Sequence, residues 1–333
     1  MTAPAGDQNA PAQYPGDRPS GPRASARPRS PVVPGPHGAE GERLAVALGV
    51  QTDSVLDLSM SLNPLADPIG PIAGRHVDAL SRYPDSSFAR AAVAEAFGRS
   101  VEEVLLTNGG AGAIALLADE MKFGWVDDPD FSLYRRHLHV RPGAPRWRSN
   151  PHSPSGRLAP PDDRAAVWDE AFYPLATGRW TAGDREAITL GSFTKVFACP
   201  GLRLGYVLST DTDLVARLET RQSRWPVSSL ALAVIPELLE ASQLSDWQRG
   251  IAGLRDQLVG LLQAHSYQVQ AGEANWVLVA DAPDLRARLG RQAIAVRDCA
   301  TFGLTDTVRI AVPDSDGLER LSHALAHIDA AAT

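Results

Sequence analysis

From His37 to the C-terminus, short apolar runs bounded by turn residues alternate with segments of helical period, and that alternation confines the chain to an α/β architecture. Strands are expected at 55–58, 103–107, 124–126, 166–168, 187–191, 204–208, 275–280, 293–297 and 307–312. Helices are expected at 39–48, 87–97, 111–121, 212–221, 283–290 and 315–329, with a long tract over 229–264 interrupted near Ser242. That tract, the three strands after it and the terminal helix read as a second, smaller α+β unit. Residues 1–36 stand apart. They hold nine prolines, four glycines and six alanines with almost no large apolar residue. Such a segment cannot bury enough surface to offset its ordering entropy, which predicts a disordered, mildly basic arm.

Composition removes several classes of function. The 333 residues are 44% apolar and 21% charged, as in soluble globular proteins. No run approaches the roughly 18 unbroken apolar residues of a membrane helix, and no apolar signal core precedes the arm, so the cytoplasm is the expected compartment. A net charge of −7 argues against nucleic acid as a partner. Cys199 and Cys299 form no disulfide framework, and no Cys/His cluster has zinc spacing, so no metal is expected. Of 32 basic residues only Lys122 and Lys195 are lysines. Arginine stays protonated, whereas lysine can lose its proton and attack a carbonyl. Amine chemistry therefore has two candidate positions.

Lys195 has the more informative neighbours. A strand runs into Ser192, a turn presents Lys195, and Gly201 precedes a strand led by Arg203. A hydroxyl and a guanidinium at these spacings can hold a phosphate while the lysine forms an imine with an aldehyde of the same molecule; the competing reading is a surface lysine in a loop. The segment Gly191–Lys195 through Cys199–Tyr206 closely resembles the cofactor-lysine region of pyridoxal-phosphate enzymes of the class I/II aminotransferase family. The resemblance spans nearly all of 37–333 in the family's order. It implies fold type I: a seven-stranded, mostly parallel sheet between helices, a small C-terminal α+β domain, and a homodimer with shared active sites acting on a small amino-acid substrate. The implied organisation is the arm at 1–36, an N-terminal segment at 37–65 associated with the small domain, a cofactor-binding large domain at 66–222 and the small domain at 223–333.

Further segments carry the resemblance. Asp169, in Trp168-Asp169-Glu170-Ala171-Phe172, matches the family's aspartate that pairs with the pyridine nitrogen and keeps the ring an electron sink. Thr107–Ile114 joins a strand to a helix through small residues and matches the phosphate cup, which selects Gly110 and Ala111. Tyr83, in Arg82-Tyr83-Pro84-Asp85, matches a tyrosine that reaches the cofactor phosphate of the neighbouring subunit. Phe131 stands where the family stacks an aromatic on the ring, with a core aromatic as its competing reading. Asn150–Gly156 resembles the loop whose asparagine bonds the ring hydroxyl, but that position here is Ser153. Arg309 matches the arginine that grips the substrate carboxylate. Trp225, Trp247 and Trp276 read as core.

The opening His37-Gly38 and Asp57–Pro64, including Asn63, resemble threonine-phosphate decarboxylases of cobalamin biosynthesis, as do Asp169–Phe172 and Arg297–Gly303. In that reading His37 and Asn63 join Arg309 in binding substrate. Three functions stay open: a decarboxylase, an aminotransferase, and a non-catalytic or partner-dependent relative. The third is suggested by missing length. Roughly forty residues separate Asn108 from Asn150 and about thirteen separate Gly156 from Asp169, against roughly 30 for one βαβ unit. The large domain is therefore expected to be trimmed, without one covering helix, leaving part of a sheet face exposed or covered by a partner.

Overall fold

The alternation resolves into two sheets in a computed structural model that describes residues 39–330; the Pro-rich arm and His37 lie outside the described residues. In chain order the strands are β1 (Leu56–Leu58), β2 (Val104–Asn108), β3 (Phe123–Val126), β4 (His139–Val140), β5 (Arg146–Ser149) and β6 (Val167–Asp169). There follow β7 (Ile188–Ser192), β8 (Leu204–Leu208), β9 (Gln268–Ala271), β10 (Trp276–Ala280), β11 (Ile294–Asp298) and β12 (Val308–Ala311). The larger sheet has seven strands in the order β2-β8-β7-β6-β5-β3-β4. Only β8 runs antiparallel to its neighbours. The smaller sheet has the order β1-β11-β12-β10-β9.

Each sheet is sealed by the helical periods between its strands. Ile114 and Leu117, on the helix Gly109–Met121, pack on Val126, Trp147, Val167 and Leu190. The opposite face of the large sheet, with Leu106, Tyr206 and Leu208, is covered by the helices Ser87–Phe97 and Ser229–Glu240. Each fully buried aliphatic side chain here contributes about 1.5–3 kcal/mol. The helix Leu244–Ala264 serves both cores: Trp247 and Ile251 join the large-sheet cluster, while Leu254, Leu258 and Leu262 join the small-sheet cluster. The cores therefore do not divide at residue 222.

The shortened intervals keep their strands and lose helix. Between Asn108 and Asn150 the chain still places β3, β4 and β5, with the helix Gly109–Met121 and one short helix, Ser132–His137. Between β5 and β6 no helix is present among the described residues. The face this leaves is polar. Arg146 and Arg148 alternate with the buried Trp147, share their face with Trp125 and Trp168, and pair with Asp163; Arg146 also pairs with Asp127. Side chains of this chain cover the ground of the missing helix.

One tryptophan expectation needs correction. Trp225 is 50% exposed, in a loop with φ +54, and its ring stacks on the 77%-exposed Tyr83 at 4.4 Å. Trp276 is fully buried in the core, as expected, and its ring lies against the Arg309 guanidinium. Among the described residues no helix is long and apolar enough to cross a membrane.

Candidate active site

A cavity of about 320 Å³ opens where the C-terminal ends of β6 and β7 face the small sheet, and it gathers most of the residues singled out in the sequence. A slightly larger hollow of about 370 Å³ lies beside Glu219, Arg224 and Trp225. Those side chains are exposed, so they cannot act in a water-excluded setting. The chemistry belongs to the first cavity.

One corner is built to receive an anion. The chain leaves β2 and turns at Gly109 (φ +68) into a 13-residue helix, which puts the first-turn amides of Gly110 and Ala111 on the cavity wall. Any side chain at Gly109 would run into the Arg203 guanidinium, its Cβ lying 2.7 Å from Nη2. Arg203 itself holds a left-handed backbone (φ 58), a strained state for a non-glycine residue. Ser192 lines the same corner, but its Oγ donates to Leu204 O (3.0 Å) and accepts from Thr194 N (3.2 Å). Its single proton is thus engaged. The hydroxyl of Thr194, which the sequence reading passed over, is buried on the same wall with no partner among the described residues.

Lys195 follows on the short helix Phe193–Val196, with Nζ donating to Met60 O at 2.7 Å. Burial, reinforced by the positive fields of Arg309, Arg297 and Arg203, lowers its pKa to about 7. Lys122, the other lysine, is exposed and pairs with Asp119. Asn63 braces this turn. Its backbone N–H donates to Lys195 O (3.0 Å), its Nδ2 to Val196 O (2.9 Å), and its Oδ1 accepts from Leu65 N (3.0 Å). Asn63 is not among the residues lining the cavity.

Asp169 ends β6. Its Oδ2 accepts from Tyr134 Oη (2.8 Å) and its Oδ1 from Ala171 N (3.0 Å), while burial raises its pKa to about 6. Tyr134 is fully buried and packs edge-on against Phe131, which lines the cavity. Behind them Asp130 accepts from Ser149 Oγ (2.5 Å) and N (3.1 Å), and Ser149 Oγ accepts from Ser153 N (2.7 Å). Ser153 and Phe172 occupy the wall next to Asp169. The neighbouring polar side chains point elsewhere: Tyr173 Oη accepts from Arg179, and His152 bonds Pro129 O and Ser155.

The small sheet supplies the opposite wall. Arg309 of β12 is 3% exposed, and Arg297 of β11 is 4% exposed. They are direct cross-strand partners in an antiparallel pair. Like charges so placed destabilise a sheet. Arg297 Nε and Nη2 and Arg309 Nε have no partner among the described residues, and burial lowers both pKa values, Arg309 well below the ordinary range. The sequence pointed to Arg297 only as the start of the segment Arg297–Gly303 and gave it no role in the site. Tyr83 lies outside this cavity. Both cysteines are buried free thiols whose pKa values burial pushes up, Cys199 to about 12 and Cys299 to about 11, so neither is a nucleophile.

This arrangement has counterparts. The aminotransferase class I and II family matches residues 147–325. The threonine-phosphate decarboxylase of Salmonella typhimurium is 30% identical over 352 aligned residues, covering 88% of this chain and 96% of the relative. Histidinol-phosphate aminotransferase 1 of Dechloromonas aromatica is 25% identical, covering 85% and 91%. Among solved structures, the histidinol-phosphate aminotransferase of Sinorhizobium meliloti in complex with pyridoxal-5'-phosphate superposes with a TM-score of 0.74 at 17% identity, over 88% of this chain and 95% of that one. The L-threonine-O-3-phosphate decarboxylase of Porphyromonas gingivalis superposes with a TM-score of 0.69 at 20% identity, over 83% and 100%. The chain belongs to the aminotransferase class I and II family of pyridoxal-phosphate-dependent enzymes.

Proposed function

We propose that this enzyme removes CO₂ from L-threonine O-3-phosphate, the decarboxylation that serves cobalamin biosynthesis. The carrying observation is the Arg297–Arg309 pair: two buried guanidiniums on facing strand positions with unspent donors. A carboxylate alone would neutralise only one of them. A phosphorylated amino acid brings two separate anionic groups, a carboxylate for Arg309 and a phosphate for Arg297, each suited to a forked donor. Histidinol phosphate carries a phosphate but no carboxylate, so it suits this wall less well. The likeness to the Salmonella decarboxylase supports the same reading.

The residues fit the cofactor. Gly110, Ala111, Thr194 and Arg203, with Ser192 behind them, would take its phosphate; Phe131 would lie on its ring; Asp169 would face its pyridine nitrogen; Ser153 would face its hydroxyl. A buried carboxylate with its pKa raised to about 6 and no cation beside it is the complement of a protonated ring nitrogen. When bound, pyridoxal phosphate supplies an electron sink for the bond broken at the substrate Cα. The chain's part is orientation and proton traffic. Arg297 and Arg309 fix both anionic ends of the amino acid and thereby the rotation about Cα. Lys195, with a pKa of about 7, can take up a proton and return it to the carbon that has lost CO₂.

The exposed stack of Tyr83 on Trp225, flanked by exposed Val77, Leu80 and Phe88, supports a homodimer in which Tyr83 reaches the partner's cofactor phosphate. The metabolic relatives support a cytoplasmic location. Transamination is the second reading, because the Dechloromonas aminotransferase aligns over nearly the same span.

The test incubates purified protein and pyridoxal phosphate with L-threonine O-3-phosphate, with and without a keto-acid acceptor. Release of CO₂ without acceptor is expected, and borohydride should leave its covalent label on Lys195. Acceptor-dependent keto-acid formation without CO₂ overturns the proposal in favour of transamination.

A further inference from the structure

Trp276 opens β10 at the junction of the two sheets and is fully buried. It touches three parts of the site. Its indole Nε1 donates to Pro154 O at 2.8 Å, in the loop that carries Ser153. Its ring lies against the Arg309 guanidinium, with Cζ 4.7 Å from the ring centroid. Phe172 meets it edge-on, with ring centroids 4.7 Å apart. The loop packs closely on this contact at Gly156 (φ +74): a Cβ there would stand 3.2 Å from Ala274 Cβ and 3.3 Å from Trp276 Nε1. Backbone seals the same seam through Ala274 N to Gly156 O at 2.9 Å. One residue earlier, Asn275 Nδ2 donates to the carbonyls of Ser61 and Leu62, beside the Met60 carbonyl that receives Lys195 Nζ.

We propose that Trp276 is the positioning residue of this site: its indole face holds the plane of the Arg309 fork, and its N–H holds the Ser153 loop. Among the described residues no carboxylate pairs with Arg309, so the aromatic face is the contact that sets its orientation, and such a contact strengthens when water is excluded. With one face covered, the guanidinium offers its N–H edge to an incoming anion, the geometry of a bidentate pair. The anion grip on the small sheet and the cofactor wall on the large sheet thereby keep one spacing. This inference rests on reading Arg309 as an anion grip, and its test is kept separate from the decarboxylation assay.

Two variants divide the two roles. Trp276→Phe keeps a ring beneath Arg309 and removes the donor to Pro154, whereas Trp276→Leu removes both. The dissociation constant of pyridoxal phosphate is measured on apo-protein. That of phosphoglycolate, which carries a carboxylate and a phosphate but no amine, is measured on the loaded enzyme. For Trp276→Phe, pyridoxal phosphate should bind roughly tenfold more weakly, the scale of a buried acceptor losing its donor, with phosphoglycolate affinity within about threefold of the parent. For Trp276→Leu, phosphoglycolate affinity should fall by about tenfold or more as well. Equal losses of both constants in both variants, tracking a fall in melting temperature, would mean that Trp276 is packing alone and would overturn the proposal. Unchanged constants would overturn it too. If Trp276→Leu does not fold, the split in Trp276→Phe decides. A parent enzyme that grips phosphoglycolate but releases no CO₂ from threonine phosphate overturns the decarboxylase reading and leaves this one standing.

Discussion

The two walls of the cavity handle buried charge in opposite ways. On the large-sheet side, Asp169 receives hydrogen bonds from Tyr134 and Ala171, and Asp130 behind it receives them from Ser149. On the small-sheet side, Arg297 and Arg309 oppose each other across two strands with donors left unspent. A carboxylate held by two donors keeps its orientation with or without a cation in front of it, which suits a resident cofactor. Two buried cations without counter-ions raise the energy of the empty site, and an arriving dianion relieves that cost. The acid wall is organised for something that stays. The basic wall is organised for something that comes and goes.

That contrast can be broken by experiment. Asp169→Ala should produce the largest effect, a fall in turnover of about two to three orders of magnitude with cofactor affinity changed far less. Losing a close carboxylate shifts the ring nitrogen by several pKa units at about 1.4 kcal/mol each, while the phosphate contacts remain. Steady-state kinetics beside a spectral titration of the cofactor would show it; near-normal turnover would refute the role. Arg297→Gln should act on the other wall, raising KM for threonine phosphate by roughly a hundredfold, the scale of a lost buried charge pair. The same substitution should raise the melting temperature by roughly 1–2 °C, because it removes a buried like-charge contact worth about 1 kcal/mol. A lower melting temperature would show that Arg297 is structural, and the contrast between the walls would fail.

The smallest effect links the walls. Capture of pyridoxal phosphate needs the neutral amine of Lys195, so its rate should climb with pH about a midpoint near 7 rather than near the ordinary lysine value of 10.5. Arg297 contributes to that depression, and removing a positive neighbour favours the charged amine, so Arg297→Gln should move the midpoint upward. Stopped-flow absorbance on apo-protein measures both midpoints. An unchanged midpoint in the variant would mean that burial, Arg309 and Arg203 set the lysine without Arg297.

Local pattern accounts for what could be read early. Period-2 and period-3.6 alternation is a property of consecutive residues, so β2, β8 and the helices Ser87–Phe97 and Thr212–Arg221 fall within a residue of their expected bounds. The scarcity of lysine and the spacing of Ser192, Lys195 and Arg203 are equally local, and all three residues lie on the cavity lining. Short pieces escaped: β4 has two residues, and the helix Ser132–His137 has six, too few to display a period. The trimmed interval misled for a related reason. Missing length indicates a missing helix, but only strand register shows that Arg146 and Arg148 share the bared face and that Asp127 and Asp163 neutralise it.

By itself, then, the sequence determined the α/β class and drew attention to the lysine, the strand-end aspartate and the glycine-rich turn after β2, because each depends on residues adjacent in the chain. Tertiary structure alone decided that Asn63 braces Lys195 from 132 positions away, that Thr194 rather than Ser192 has its hydroxyl free, that Tyr134 holds Asp169, and that Trp276 spans two walls. It also placed Arg297 opposite Arg309. Which partner exhausts a hydrogen-bonding group, and which charge is left without one, depends on what long-range folding brings alongside, and no local period encodes that.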